Sequence, residues 1–160
     1  MNYWILQSNP VKFRILDWLV MVRNSGDLTD CWHISQFKEE VKPGDVAFIW
    51  KSKGNSNIRG IYAKAKVIPK PERFSHEEEE RNYWIDKAEE ERLARGVKEG
   101  KFKWIAIKYE YTTFYLDKPL LSDEIEKIPM LEKLTIIKIP RRGICKMEPE
   151  QGKLVESMLG

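Results

Sequence analysis

Hydrophobic and polar positions alternate from the first residues. In residues 2–8, Tyr3, Ile5 and Gln7 alternate with Trp4, Leu6 and Ser8, so both faces are largely apolar and the pattern predicts a central strand. Pro10 biases Asn9 away from helix and ends it. Phe13, Leu16, Leu19, Val20 and Val22 then recur near helical spacing, with Trp18 joining them, which predicts a helix over residues 11–23. Asn24, Ser25, Gly26 and Asp27 stop it. Residues 28–40 hold no steady apolar period; they read as a loop carrying Trp32, with one short helical turn at 35–40. Pro43 and Gly44 suit a tight reversal between Lys42 and Asp45. From it leaves a strand over 45–51, with Val46, Phe48 and Trp50 on one face and Ala47 and Ile49 on the other. A polar loop at 52–57 joins it to a second strand, 58–68, as a hairpin with a basic tip.

Pro69 and Pro71 break the pattern. Ser75 and Glu78 have capping-box spacing and predict a helix over 75–95 that stops at Gly96, with Tyr83, Trp84 and Leu93 as its anchors. Residues 101–114 alternate as a long strand, and 116–121 continue in extended form. A short helix follows at 122–128, capped by Ser122. Residues 134–139 read as a last strand, 140–143 as a basic turn, and 149–159 as a closing helix with Leu154, Val155 and Met158 inward. Five or six strands, several adjacent in sequence, with peripheral helices predict an α+β fold built on a curved, mostly antiparallel sheet or small barrel. The expectation is one domain over 1–160, with the acidic helix at about 75–95 as an insertion.

Charge changes this picture at one place. The chain of 160 residues carries net charge +3, yet residues 77–91 hold eight carboxylates, Glu77 to Glu80, Asp86 and Glu89 to Glu91. The expectation is a solvated acidic face turned away from any phosphate backbone. No run approaches the roughly 20 apolar residues of a membrane span, and residues 1–20 lack a signal-peptide pattern, so a cytoplasmic location is expected. Glu, Lys, Arg and Ile are abundant and Gln scarce, a bias that fits a heat-adapted source. Two cysteines, Cys31 and Cys145, and two histidines, His33 and His76, are too few for a disulfide scaffold or a closed zinc site. Glycine-rich phosphate loops, nucleophile elbows and metal-protease motifs are absent from the sequence. No enzyme and no cofactor is expected.

Binding has more behind it. Six Trp, six Tyr and six Phe stand among basic loops. Aromatic faces stack nucleobases at roughly 1–3 kcal/mol each, and cations hold phosphates without reading sequence. Trp32 and Trp50 are the candidates for two facing walls of a slot, against the plainer alternative that both are core. Lys51, Lys53 and Arg59 at the hairpin tip, with Arg141 and Arg142 in the basic turn, are the candidates for backbone contacts.

Several of these segments resemble one family. The opening N-Y-W-I-L-Q-S-N-P at 2–10, the C-W-H-I at 31–34, the V-K-P-G-D-V-A-F-I-W at 41–50 and the G-I-Y-A-K-A-K-V at 60–67 resemble, in order and spacing, the corresponding segments of EVE domains. The match is strongest over 2–68. EVE domains belong to the PUA-like superfamily and are similar to YTH domains, which hold a methylated base in an aromatic cage. Similar domains stand at the N-terminus of archaeal McrB-type restriction proteins. The resemblance implies a PUA-like fold and a reader of a modified, methylated base flipped into an aromatic pocket. It places Trp32 as the loop Trp of the cage, Trp50 as the second wall, and Ser8 and Asn9 at the pocket floor. Asp30 and Asp117 are added as acceptors for base amino groups. Asn9 stands where many family members carry Glu, which leaves the base open. Expected partners are nucleic acid, methylated DNA before RNA, and a C-terminal motor domain outside this chain; no membrane partner is expected. The alternatives are an RNA-binding PUA-like domain and a protein-interaction module docking through the acidic helix.

Overall fold

Two strands that are apolar on both faces form the middle of the sheet. A computed structural model describes residues 1–139 and 143–160. In it β1 (Tyr3–Ser8) and β3 (Val46–Lys51) pair in parallel, Tyr3 opposite Val46 through Ser8 opposite Lys51. All other pairings are antiparallel, and the order across the sheet is β2 (Thr29–Ile34), β5 (Lys103–Phe114), β4 (Gly60–Ile68), β3, β1, β7 (Ile144–Met147). A two-residue strand β6 (Leu120–Leu121) adds to β4. The sheet is curled and mostly antiparallel, the α+β architecture expected.

Because side chains alternate across a strand, the two central strands feed two separate cores. Trp4, Leu6, Ala47 and Ile49 face one core, with α1 (Ile15–Ser25), β2 and β5. Tyr3, Ile5, Val46, Phe48 and Trp50 face the other, with α4 (Ser122–Glu126), α5 (Thr135–Lys138) and α6 (Pro149–Leu159). Each fully buried large apolar side chain contributes roughly 1.5–3 kcal/mol.

The Pro43-Gly44-Asp45 turn fastens this centre. Gly44 takes φ of 95°, which favours glycine, and its N–H donates to Val67 O at 2.8 Å. Buried Asp45 accepts from Asn2 N at 2.9 Å, Trp4 Nε1 at 2.8 Å and Lys42 N at 3.0 Å. One carboxylate thus binds the start of β1, the turn and a core indole.

Several sequence expectations are corrected. Residues 29–34 are a strand, not a loop, because they pair with β5 over six positions, Thr29 opposite Lys108 through Ile34 opposite Lys103. The first helix starts at Ile15, since Lys12 and Phe13 N–H both turn back to Asn9 O and Phe13 bridges to Trp84. The acidic helix is broken into α2 (Glu77–Arg81) and α3 (Lys87–Lys98), with Asp86 capping the second through Glu89 N. Ser75 caps neither; its hydroxyl donates to Asp27. Gly96 lies inside α3, where a Cβ would fall 1.9 Å from the Phe102 ring, so it serves close packing rather than helix termination. Residues 134–139 form a helical turn, not a strand, because β7 already pairs with β1 at the sheet edge. Among the described residues no helix is long and apolar enough to cross a membrane.

Asp45→Ala removes three buried or half-buried hydrogen bonds to one carboxylate. Bonds to charged groups contribute about 1.5–3 kcal/mol each, with incomplete additivity. A loss of about 3 kcal/mol in urea unfolding is expected, and a loss below about 1 kcal/mol would contradict the role given to this turn.

Candidate functional site

The end of β1 opens a cavity of about 570 Å³ on the α1 side of the sheet. At the strand's end Asn9 turns the chain: its Oδ1 accepts from Val11 N at 3.0 Å and its carbonyl from Lys12 and Phe13 N–H. Ser8 and Asn9 therefore stand on the lining. Opposite them β2 presents Cys31, Trp32 and His33. Trp32 is half-buried, and no other aromatic ring of the described residues stacks on it.

The floor is a buried hub. Asp30 is 2% exposed. Its Oδ2 accepts from Trp18 Nε1 at 3.0 Å and from Tyr109 OH at 2.7 Å, and its Oδ1 from Cys31 N at 2.7 Å. Burial pushes its pKa up to about 6, against the pull of those three donors. Those three donors hold Asp30 within the fold, where it positions the floor of the cavity.

The acidic segment supplies the far wall. Phe13 contacts Trp84 with ring centroids 4.9 Å apart, and Trp18 contacts Tyr83 at 5.3 Å. Arg14 N–H donates to Tyr83 O, and Ile85 and Asp86 N–H to Lys12 O. Held this way, the segment turns Glu80, Trp84, Glu89, Arg92 and Leu93 onto the cavity. Glu77, Glu78 and Glu79 are exposed while Glu80 is half-buried. Burial, then the charges of Asp30 and Glu90, raise the Glu80 pKa to about 8; a weak bond from the Cys31 thiol, Sγ to Oε2 3.8 Å, opposes this. The Cys31 thiol itself is pushed well up by burial and by Glu80. His33 is held down by burial and then by Lys70. At the rim Glu89 lies between two cations, 3.4 Å from Lys12 Nζ and paired with Arg92.

The structure brings Trp32, Ser8, Asn9 and Asp30 to one cavity and separates the rest. Trp50 is 0% exposed and lies on the opposite face, in the core with Phe48, so it does not face Trp32. Position parity explains this: Trp50 shares its strand face with Val46 and Phe48, while the cavity belongs to the face of Ala47 and Ile49. Asp117 is exposed in a turn away from the lining. Lys51 is buried, donating to Ser52 O and Ile58 O, and Arg59 is bound to Ser122 and Glu126; both are structural cations. Lys53 is exposed at the hairpin tip, and Arg141 and Arg142 lie outside the described residues. The acidic segment, expected to be solvated and turned away, is half solvent face and half cavity wall. Glu80, Trp84, Phe102, Lys12 and Arg92 were not expected on the lining. Nothing in the sequence separates Glu80 from the three glutamates before it; an aromatic pair inside an acidic run was the available signal for Trp84. Among the described residues no group of three or more His, Cys, Asp or Glu is placed to hold a metal ion.

Comparison with known proteins gives the same architecture a context. A family model described as EVE domain matches residues 2–158. No curated protein sequence matches the chain. Among solved structures, a hypothetical protein from Leishmania major superposes with TM-score 0.63 at 18% identity, covering 99% of this chain and 94% of that one. Human THYN1, solved in complex with 5-methylcytosine-containing DNA, superposes with TM-score 0.60 at 17% identity, covering 99% and 98%. A protein from Agrobacterium tumefaciens gives TM-score 0.60 at 19% identity, covering 100% and 94%. At these identities the likeness is one of fold.

Two outcomes follow from the placement of the side chains. Trp50→Ala is expected to cost about 3–5 kcal/mol of stability and Trp32→Ala under about 1.5 kcal/mol, both read from urea unfolding; equal costs would contradict the separation of the two indoles. The second concerns pH. A carboxyl whose folded pKa is raised stabilises the fold fully below its unfolded pKa, and that stability is lost as pH rises through the folded value. For Glu80 the window runs from its ordinary 4.5 to about 8. Between pH 5 and 8.5 the wild type should lose stability relative to Glu80→Gln, which cannot ionise; parallel profiles would contradict the burial of this carboxyl.

Proposed function

The chain belongs to the EVE domain family, and from that membership we propose that it binds nucleic acid and takes one modified base, extruded from its strand, into the cavity beside Trp32. The observation that carries the reading is the half-buried Trp32 indole standing unstacked beside a space of about 570 Å³ with a mixed polar and aromatic lining. That volume lies within the roughly 300–1,000 Å³ of small-molecule sites and accommodates a base with an added methyl. Stacking on Trp32 contributes on the order of 1–3 kcal/mol, which offsets the few kcal/mol that extrusion from a duplex costs. A methyl group adds only about 0.8 kcal/mol by burial, so discrimination depends on the polar groups around it.

Those groups are present on the lining: the Ser8 hydroxyl, the Asn9 amide, His33 and Glu80. Phosphates on either side of the base would meet the rim cations Lys12 and Arg92, with Lys53 and the Arg141–Arg142 pair, which immediately precedes lining residue Gly143, as further contacts. DNA is favoured over RNA because a protein of the same fold is known with 5-methylcytosine-containing DNA. The module acts by binding, and a McrB-type restriction system, with its motor on a separate domain, is the setting that the resemblance favours.

Affinity for DNA and RNA oligonucleotides, with and without one 5-methylcytosine or N6-methyladenine, tests this. Methylated DNA should bind more tightly than unmodified DNA, and affinity should fall steeply as salt rises. Trp32→Ala should weaken the methylated strand about 5- to 150-fold, and more than the unmodified one. Equal losses for both, or an affinity indifferent to salt, would overturn the reading.

A further inference from the structure

Glu80 is the one carboxyl of the acidic run that combines three features. It is half-buried, it lines the cavity, and it has no cation paired with it among the described residues. Its carboxyl accepts a long bond from the Cys31 thiol, 3.8 Å from Sγ to Oε2. Neighbouring Glu89 is different, since Lys12 and Arg92 compensate it. Asp30 differs too, since three donors compensate it. A carboxylate without such compensation is costly to desolvate, and the group avoids the cost by taking up a proton.

The two forms of a carboxyl present different patterns. The ionised form offers two acceptors; the protonated form offers a donor beside an acceptor. Nucleobase edges answer the two forms differently. Cytosine, through N3 and its 4-amino group, and adenine, through N1 and its 6-amino group, set an acceptor beside a donor. Guanine at O6 and N1, and thymine at O4 and N3, do so as well, so the protonated form can pair at two points with any of the four. Guanine alone also sets two donors side by side, at N1 and N2, and alone matches the ionised form at two points.

We propose that Glu80 makes the cavity's choice of base depend on its own protonation: protonated, it pairs with the acceptor–donor edge of cytosine or adenine; ionised, it disfavours that edge and matches only the two donors of guanine. The assignment rests on the reading of the cavity as a base pocket. The protonated oxygen donates to the ring nitrogen, and the carbonyl oxygen accepts from the amino group. A single methyl on the 5-carbon of cytosine, or on the amino nitrogen of adenine, leaves both bonds available. The groups that act on Glu80 support the neutral form at physiological pH. Asp30 on β2, Glu77 on α2 and Glu90 on α3 oppose its ionisation, as does burial, and together they place its pKa near 8; the Cys31 contact works the other way. The lining also carries His33, held towards its neutral form, and Lys12 and Arg92, each paired with Glu89. Recognition by this residue is therefore switched by pH: above pH 8 its donor is lost and two acceptors face the ligand.

The test uses the full chain and short DNA strands in which one base stands among abasic spacers, so that neither extrusion nor sequence context contributes. The central base is cytosine, 5-methylcytosine, adenine, N6-methyladenine, guanine or thymine, and affinity is read by fluorescence anisotropy at pH 6.5 and pH 9. From pH 6.5 to pH 9 the cytosine and adenine strands should lose at least fivefold in affinity relative to the guanine strand. Glu80→Gln keeps a donor beside an acceptor at every pH and should abolish that shift, as should Glu80→Ala. A relative affinity of cytosine and adenine against guanine that does not change with pH, or that changes as much in Glu80→Gln, would overturn the role of Glu80 while leaving the pocket in place. Base-bearing strands that bind no better than a wholly abasic strand would overturn the pocket itself and the assignment with it.

Discussion

A carboxylate sealed from water, Asp30, is the point from which the cavity is built. Through Trp18 it fixes α1, through Tyr109 it fixes β5, and through Cys31 N it fixes its own strand. Three donors on one buried carboxylate make a bond set that is costly to break in part, because each lost donor leaves charge uncompensated. The position of Trp32 follows, two residues further along β2, and so does the aromatic platform of Phe13, Trp18, Tyr83 and Trp84 that carries the acidic segment. Burial first, and then this same negative charge, hold Glu80 towards its neutral form. A charge that anchors the floor therefore also weighs, after burial, on the protonation of the wall.

The central strands impose a second constraint. With β1 and β3 apolar on both faces, each residue is committed to one of two cores by its parity alone. One core is closed by α4, α5 and α6 and takes Trp50. The other is closed by α1 only in part, and where β1 ends at Ser8 it gives way to the cavity. Arg59 lies over the Trp50 ring, at 6.0 Å, and is tied to Glu126. A cation that looked like a phosphate contact is instead part of that closed side.

Much of the fold was legible in local pattern. The alternation in β1, β3, β4 and β5 and the Pro43-Gly44 turn gave the sheet, and the closing helix at Pro149–Leu159 was read at its full length. What local pattern could not supply was pairing. Thr29–Ile34 has no clean alternation and becomes a strand only because β5 is beside it. The apolar run at 134–139 is ambiguous by itself and turns helical because β7 holds the edge of β1. The candidate site was legible in part. Ser8, Asn9 and Trp32, grouped by the resemblance and the strand end, share one lining in the structure. Trp50 was misplaced although its own face, shared with Val46 and Phe48, already pointed to the other side. Glu80 was invisible, since its difference from Glu77, Glu78 and Glu79 is burial produced by a packing contact distant in sequence.

The most direct measurement is the structure of the protein bound to a DNA strand carrying one 5-methylcytosine. The base is expected out of the stack, its ring against Trp32 and its polar edge towards Glu80, with Trp50 still enclosed in the opposite core. A methylated base left stacked in the DNA, or DNA bound on another face with the Trp32 cavity empty, would contradict the account.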